Sequence, residues 1–194
     1  MNGGTMPARK LVPREAILSC AMELLESDGS EALNARTLAK RLGCSTQPIY
    51  LSFSGMDDLR AALVAECRKV QEDYIVRERE ETLFLRNSLG FMRFVYEKPR
   101  LFRFVYYENQ FQNTPADRAF IDATVAGIMR AGGYSRAVAE RFYYATWFFM
   151  YGIAVQMVYG FASPKWDDIR GLLLDQFGAL KLYYSQYREE TQHE

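Results

Sequence analysis

Between Ala35 and Phe53 the only charged residues are Arg36, Lys40 and Arg41, and no acid offsets them. Thr46, Gln47 and Tyr50 follow within the same stretch. Side chains of these types suit hydrogen bonding to a polyanion whose edge carries a pattern. Guanidinium and ammonium groups neutralise phosphates. A glutamine amide donates and accepts at once, which matches the N6 and N7 edge of adenine. Such groups read a duplex when a helix carries them into its major groove. The apolar residues indicate that helix. Leu38, Ala39, Leu42 and Ile49 are spaced for two short helices, and Gly43 follows Ala39 by four positions. A small residue in the first helix permits close approach of the second. Glycine, tolerant of positive φ, makes the turn, and an apolar residue beyond it packs the second helix back. That arrangement leaves Arg36, Thr46, Gln47 and Tyr50 at outward or N-terminal positions.

Other chemistry is poorly supplied. The single histidine is His193, so a histidine base, a Ser-His-Asp triad and a histidine metal site lack their members. Cys20, Cys44 and Cys67 are widely spaced and form no CxxC pair; they suit small apolar fillers better than a disulfide framework or a zinc site. No glycine-rich phosphate loop is present. We therefore expect no catalytic residue, no metal and no cofactor. The 24 basic and 24 acidic residues cancel, so only the local charge points to nucleic acid, with Arg9, Lys10 and Arg14 adding to it upstream. Hydrophobic residues make up 49% of the chain, enough for a globular core. No apolar run approaches the roughly 18 residues of a membrane span. Met1 to Pro13 lacks the apolar core of a signal peptide. A cytoplasmic location is expected.

Helix signals dominate. Pro13 opens a first helix carrying Ile17, Ala21, Leu24 and Leu25, which Asp28-Gly29 closes. Asn34 caps a second, Ala35 to Leu42. Ser45 caps a third, Thr46 to about Ser52, and Ser54 a long fourth starting near Met56. Further helices are expected over Leu83 to Tyr96, Pro99 to Tyr107, Pro115 to Gly132-Gly133, Ser135 to Tyr159, and from Ser163-Pro164 to Tyr187. No period-2 alternation appears. The expected fold is all-α, of about nine helices. Aromatic residues divide it: before Leu83 there are only Tyr50, Phe53 and Tyr74. The expected domains are residues 1–55 and residues 56–194.

Residues Ile17 to Leu63 resemble the N-terminal helix-turn-helix domain of the TetR family of transcription regulators. The likeness rests on an apolar first helix, the glycine turn, LAKRLG at 38–43, STQPIYLSF at 45–53, and DDL at 57–59 opening the fourth helix. It implies a homodimeric regulator, by family habit a repressor, that reads double-stranded DNA at a palindromic operator. It also implies roles. Arg36, Thr46, Gln47 and Tyr50 would touch bases or phosphates. Ser45 would cap the reading helix near a phosphate, and Pro48 would shape its start or meet a thymine methyl. Two positions depart from the family pattern. Ser52 stands where histidine or tyrosine is usual, and Met56 where lysine usually meets a phosphate. Both departures remove contacts to the DNA backbone and imply weaker or more arm-dependent binding, with Arg9, Lys10 and Arg14 compensating.

The helix from Ser135 to Tyr159 is apolar nearly all round, and such a helix must be covered on every side. The last helix adds Ile169, Leu172, Leu173, Phe177, Leu180 and Tyr184. A partner subunit packed on these two helices is the expected cover, as in the TetR-like four-helix dimer bundle. The resemblance also implies a small effector bound among the middle helices. Candidate lining residues are Phe91, Phe94, Phe102, Tyr106, Tyr107, Phe111, Trp147, Phe148 and Tyr151, with Arg103, Glu108, Asn109 and Gln156 as polar partners. Such a lining favours an apolar or aromatic ligand. Two other readings stay open: a helical protein–protein adaptor without DNA affinity, and a small-molecule enzyme in the C-terminal half.

Overall fold

The computed structural model describes residues 12–80, 82–109 and 114–187. Among these residues there are nine α-helices and no strand. They form two compact units that divide between Cys67 and Arg68.

The first unit has an aliphatic core. Helix α1 spans Arg14–Asp28 and buries Ile17, Leu18, Ala21, Leu24 and Leu25. It stops where Gly29, at φ 87°, donates its N–H to the Leu25 carbonyl. A 3-10 turn, Ser30–Ala32, leads to α2, Ala35–Leu42. The Asn34 carboxamide oxygen caps α2 by accepting the Thr37 N–H at 2.9 Å. Gly43 ends it in the left-handed conformation, φ 63°. Helix α3 spans Gln47–Ser52, and α4 spans Met56–Arg77. Asp58 in the first turn of α4 accepts the Ser54 N–H at 2.9 Å.

The second unit has an aromatic core. It contains α5 (Leu83–Glu97), α6 (Pro99–Arg103), α7 (Pro115–Gly132), α8 (Arg136–Val158) and α9 (Trp166–Tyr184). The rings of Phe84, Phe142 and Phe177 meet one another with centroids 5.3–5.7 Å apart, within the range where aromatic pairs attract. A buried hydrogen bond, Asn87 to the Thr124 hydroxyl at 3.0 Å, ties α5 to α7. α5 also crosses the end of α4 closely: a Cβ on Gly90 would stand 2.5 Å from the Ile75 Cα. That crossing requires a residue without a side chain.

Two helices of this unit differ from expectation in their extent. The helix opened by Pro99 does not continue as α to Tyr107; Phe104–Glu108 form a π-helical turn. Two contacts of i,i+5 spacing accompany the wider turn. Arg103 pairs with Glu108 at 2.8 Å, and the Asn109 amide donates to the Phe104 carbonyl at 2.6 Å. The last helix starts at Trp166 rather than at Ser163-Pro164. Its first-turn acid decides this, because Asp168 accepts the Lys165 N–H at 3.2 Å. Its end beyond Tyr184 is a 3-10 turn, Ser185–Tyr187. Among the described residues no helix is long and apolar enough to cross a membrane.

Within the chain α8 is covered on one side only. Ala139, Phe142, Tyr143, Thr146, Met150 and Ala154 are buried, while Tyr144 and Phe148 are exposed, Phe148 by 69%. On α9, Leu172, Leu182 and Tyr183 are exposed too.

Candidate nucleic-acid interface and effector cavity

The local sequence orients α3 by one anchor. Ile49 is 1% exposed, and Phe53 just beyond the helix is 2% exposed. The Arg14 guanidinium lies 4.5 Å over the Phe53 ring, a cation–π contact that holds the start of α1 to the end of α3. At 100° per residue, Gln47 stands about 160° round the helix from Ile49, flanked by Tyr50 and Leu51. Gln47, Tyr50 and Leu51 are all exposed, Leu51 by 71%. Ser45 is exposed, and Thr46, Pro48 and Ser52 are half-buried at the flanks. Arg36 and Lys40 project from α2, both exposed. Arg41 turns to α1, where it pairs with Asp28 at 3.5 Å and donates to the Ser27 hydroxyl at 3.3 Å. The cap of α3 differs from expectation. The N-cap position is Thr46, not Ser45, and no side chain caps the helix. Pro48 supplies no N–H, and the Ile49 N–H is already taken by the Thr46 carbonyl at 3.2 Å, so a capping hydroxyl has little left to accept. Arg9 and Lys10 lie outside the described residues.

The result is a short helix with one apolar side fixed in a core and the opposite side free. On that free side sequence reasoning selected Gln47 and Tyr50 and passed over Leu51. Its signal was present, since a residue two positions after a buried anchor points away from it.

The second unit contains a cavity of about 260 Å³. Tyr106, Trp147 and Tyr151 line it, as expected from the sequence. Gln71, Asp117, Phe120, Ile121, Tyr143 and Tyr144 complete the lining and were not anticipated. The other expected residues are placed differently. Phe94 and Phe102 are fully buried packing residues, Phe94 against Tyr74 and Phe102 stacked on Tyr106 at 4.8 Å. Phe91 is buried against Trp147 at 5.2 Å. Tyr107 stacks on Tyr151 and meets Tyr159 edge-on. Phe148 and Gln156 face solvent, and Arg103, Glu108 and Asn109 bond within the π-helical turn. Phe111 lies outside the described residues. A second cavity in the same unit, about 460 Å³, is bordered by Phe84, Tyr134, Phe142, Phe177, Arg130 and Lys181. It brings together none of the expected residues.

The electrostatics of the smaller cavity are nearly neutral. Burial works to raise the Asp117 pKa, but hydrogen bonds from Thr114 and Arg68 outweigh it and hold the carboxyl below its usual value. The resulting carboxylate is matched by Arg68, at 2.9 and 3.0 Å. Burial raises the Tyr106 hydroxyl well above its ordinary value against the opposing hydrogen bond it donates to Gln71 at 2.9 Å. Tyr143 is pushed up to about 12, again by burial first. Both phenols are therefore uncharged at neutral pH. The walls offer aromatic faces, hydroxyls, an amide and one carboxylate already matched by Arg68, a composition suited to an aromatic guest.

Residues 17–63 match the family model described as bacterial regulatory proteins, tetR family. No curated protein sequence matches the chain. Solved structures do. A single-residue variant of TetR from Acinetobacter baumannii AYE, in complex with minocycline, superposes with a TM-score of 0.64 at 18% identity, covering 92% of this chain and 99% of that one. A protein of unknown function from Rhodococcus sp. RHA1 gives 0.67 at 20% identity, covering 92% and 98%. BioQ, solved with its double-stranded DNA operator, gives 0.53 at 16% identity, covering 87% and 99%. At these identities the likeness is one of fold, and the match to the family model is confined to residues 17–63. Residues 17–63 thus match the model of the tetR family of bacterial regulatory proteins, and the chain as a whole shares its fold with TetR-like structures.

Proposed function

We propose that the protein is a cytoplasmic repressor that binds a palindromic operator as a homodimer and is released when a small aromatic or apolar molecule occupies the cavity behind Trp147. In this reading residues 1–55 do the DNA reading, and residues 56–194 bind the effector and dimerise. The observation that carries it is the orientation of α3, whose only deeply buried residue is Ile49 and whose opposite side presents Gln47 and Tyr50. Arg36 and Lys40 on α2 supply cations for the phosphates beside it, and Ser45, Thr46, Pro48 and Ser52 flank the contact. The exposed Tyr144, Phe148, Leu172 and Leu182 support a second copy as the cover for α8 and α9, because an apolar helix face of this kind is stable when buried. Two-fold symmetry then sets the operator, with half-sites about 34 Å apart or a multiple of it. BioQ was solved with its operator, and the TetR variant with minocycline; both precedents fit a protein that answers a small molecule at the DNA. For release, the effector must favour the conformation that binds DNA less well.

Selection of fragmented genomic DNA by the purified protein, followed by sequencing, tests the proposal. Enrichment of one palindromic site, lost with Gln47→Ala, is the expected result. No enrichment by a folded dimer stripped of co-purified ligand would overturn it in favour of an adaptor.

A further inference from the structure

Leu51 is the one large aliphatic side chain on the outward side of α3, and it is 71% exposed. It stands about 40° round the helix from Gln47, on the side away from Tyr50. Ile49, the other branched residue of this helix, is 1% exposed and fully engaged in the core. Leu51 thus contributes nothing comparable to packing, and its exposure costs solvation in the free protein. The surface that α3 meets in the proposed complex is the floor of a major groove. Polar donors and acceptors cover that floor, with a single apolar feature, the C5-methyl of thymine. Pro48, the other candidate for such a contact, is half-buried at the flank.

We infer that Leu51 reads a thymine methyl in each half-site, beside the base read by Gln47. The inference rests on the DNA-binding reading above and deepens it. It assigns specificity to a residue without hydrogen-bonding capacity, and it places a T·A pair next to the pair that Gln47 contacts. Burial of one methyl corresponds to about a fourfold change in affinity per half-site. The two symmetric contacts together give about fifteenfold.

The test removes the methyl from the DNA and the side chain from the protein. Each thymine of the selected operator is replaced in turn, symmetrically, by deoxyuridine, and affinity is measured for the native protein and for Leu51→Ala. Leu51 is exposed, so the alanine variant keeps the fold, which circular dichroism checks. One symmetric pair of replacements is expected to weaken the native protein about fifteenfold and to leave Leu51→Ala nearly unaffected. Equal losses in both proteins, or none in either, overturn the inference while operator binding stands. Failure of the native protein to retain any DNA overturns it together with the reading on which it rests.

Discussion

The two units use their side chains in opposite ways. In the headpiece the candidate functional residues face outward from an aliphatic core: Gln47 and Tyr50 are exposed, whereas Ile49 is sealed. In the second unit the candidates that meet at the cavity face inward, where Tyr106, Trp147 and Tyr151 share one aromatic mass with Phe91 and Phe102. An outward reading surface tolerates substitution thermodynamically and fails in recognition. An inward site mixes the two roles, so a change there alters packing and binding together. Polarity separates function from structure in the first unit, and only position does so in the second.

The largest effect should follow from removing the anchor of the reading surface. Ile49→Ala is expected to destabilise the headpiece by about 2–4 kcal/mol and to abolish operator retention, whereas Gln47→Ala leaves the melting curve unchanged. Differential scanning calorimetry on both variants checks this, and equal melting of Ile49→Ala and the native protein would break the comparison. Next comes the close crossing of α4 and α5. Gly90→Ala places a methyl against the Ile75 backbone and should cost about 1–3 kcal/mol, read as a lowered denaturant midpoint at constant m-value. Asn87→Ala removes the amide that donates to the Thr124 hydroxyl, with an expected loss of about 1–2 kcal/mol in the same assay.

A smaller effect depends on pH. The Asp117 pKa is lowered in the folded chain, with burial opposed and overcome by Thr114 and Arg68. Its contribution to stability is therefore fully present above the unfolded carboxylate value of about 3.9 and is lost as pH falls through the lowered folded value. Asp117→Asn should flatten the acid limb of the stability profile below about pH 4, as urea titrations at successive pH values would record. An unchanged acid limb would show that the Arg68 pair contributes nothing. The smallest effect belongs to Arg41→Ala. Its pair with Asp28 is solvent-exposed at 3.5 Å, and such pairs are worth about 0–1 kcal/mol. A larger change in stability would mean that the outward face of the headpiece also supports its fold.

The sequence was informative where residue type and location coincide. Capping residues such as Asn34, Thr114 and Ser135, and stop signals such as Gly43 and Gly133, name their own positions, and the structure places helix ends at each. Ser45 misled because proline at position 48 removes the donor that a capping hydroxyl needs. Ser163-Pro164 misled because Asp168 favours a later start. The π-helical turn carried no local signal: it accompanies contacts of Arg103 with Glu108 and of Asn109 with the Phe104 carbonyl, which a 3.6-residue periodicity does not register. The cavity was only half anticipated, for a related reason. Composition gathers all aromatic residues alike, whereas packing assigns Phe94 and Phe102 to the interior and Tyr106 and Trp147 to the wall. Gln71 and Asp117 come from α4 and α7, and nothing in their local sequence marks them as neighbours of the same cavity.

The central claim is that the outward face of α3 confers sequence preference while the cations around it confer affinity. It is tested most directly by the salt dependence of binding to the selected operator and to a scrambled duplex, for the native protein and for Gln47→Ala. The account predicts that log affinity falls linearly with log salt in both proteins with one common slope. It further predicts that Gln47→Ala loses about tenfold or more of the preference for the operator. A Gln47→Ala protein that keeps the native preference, or a native protein with none, would contradict it.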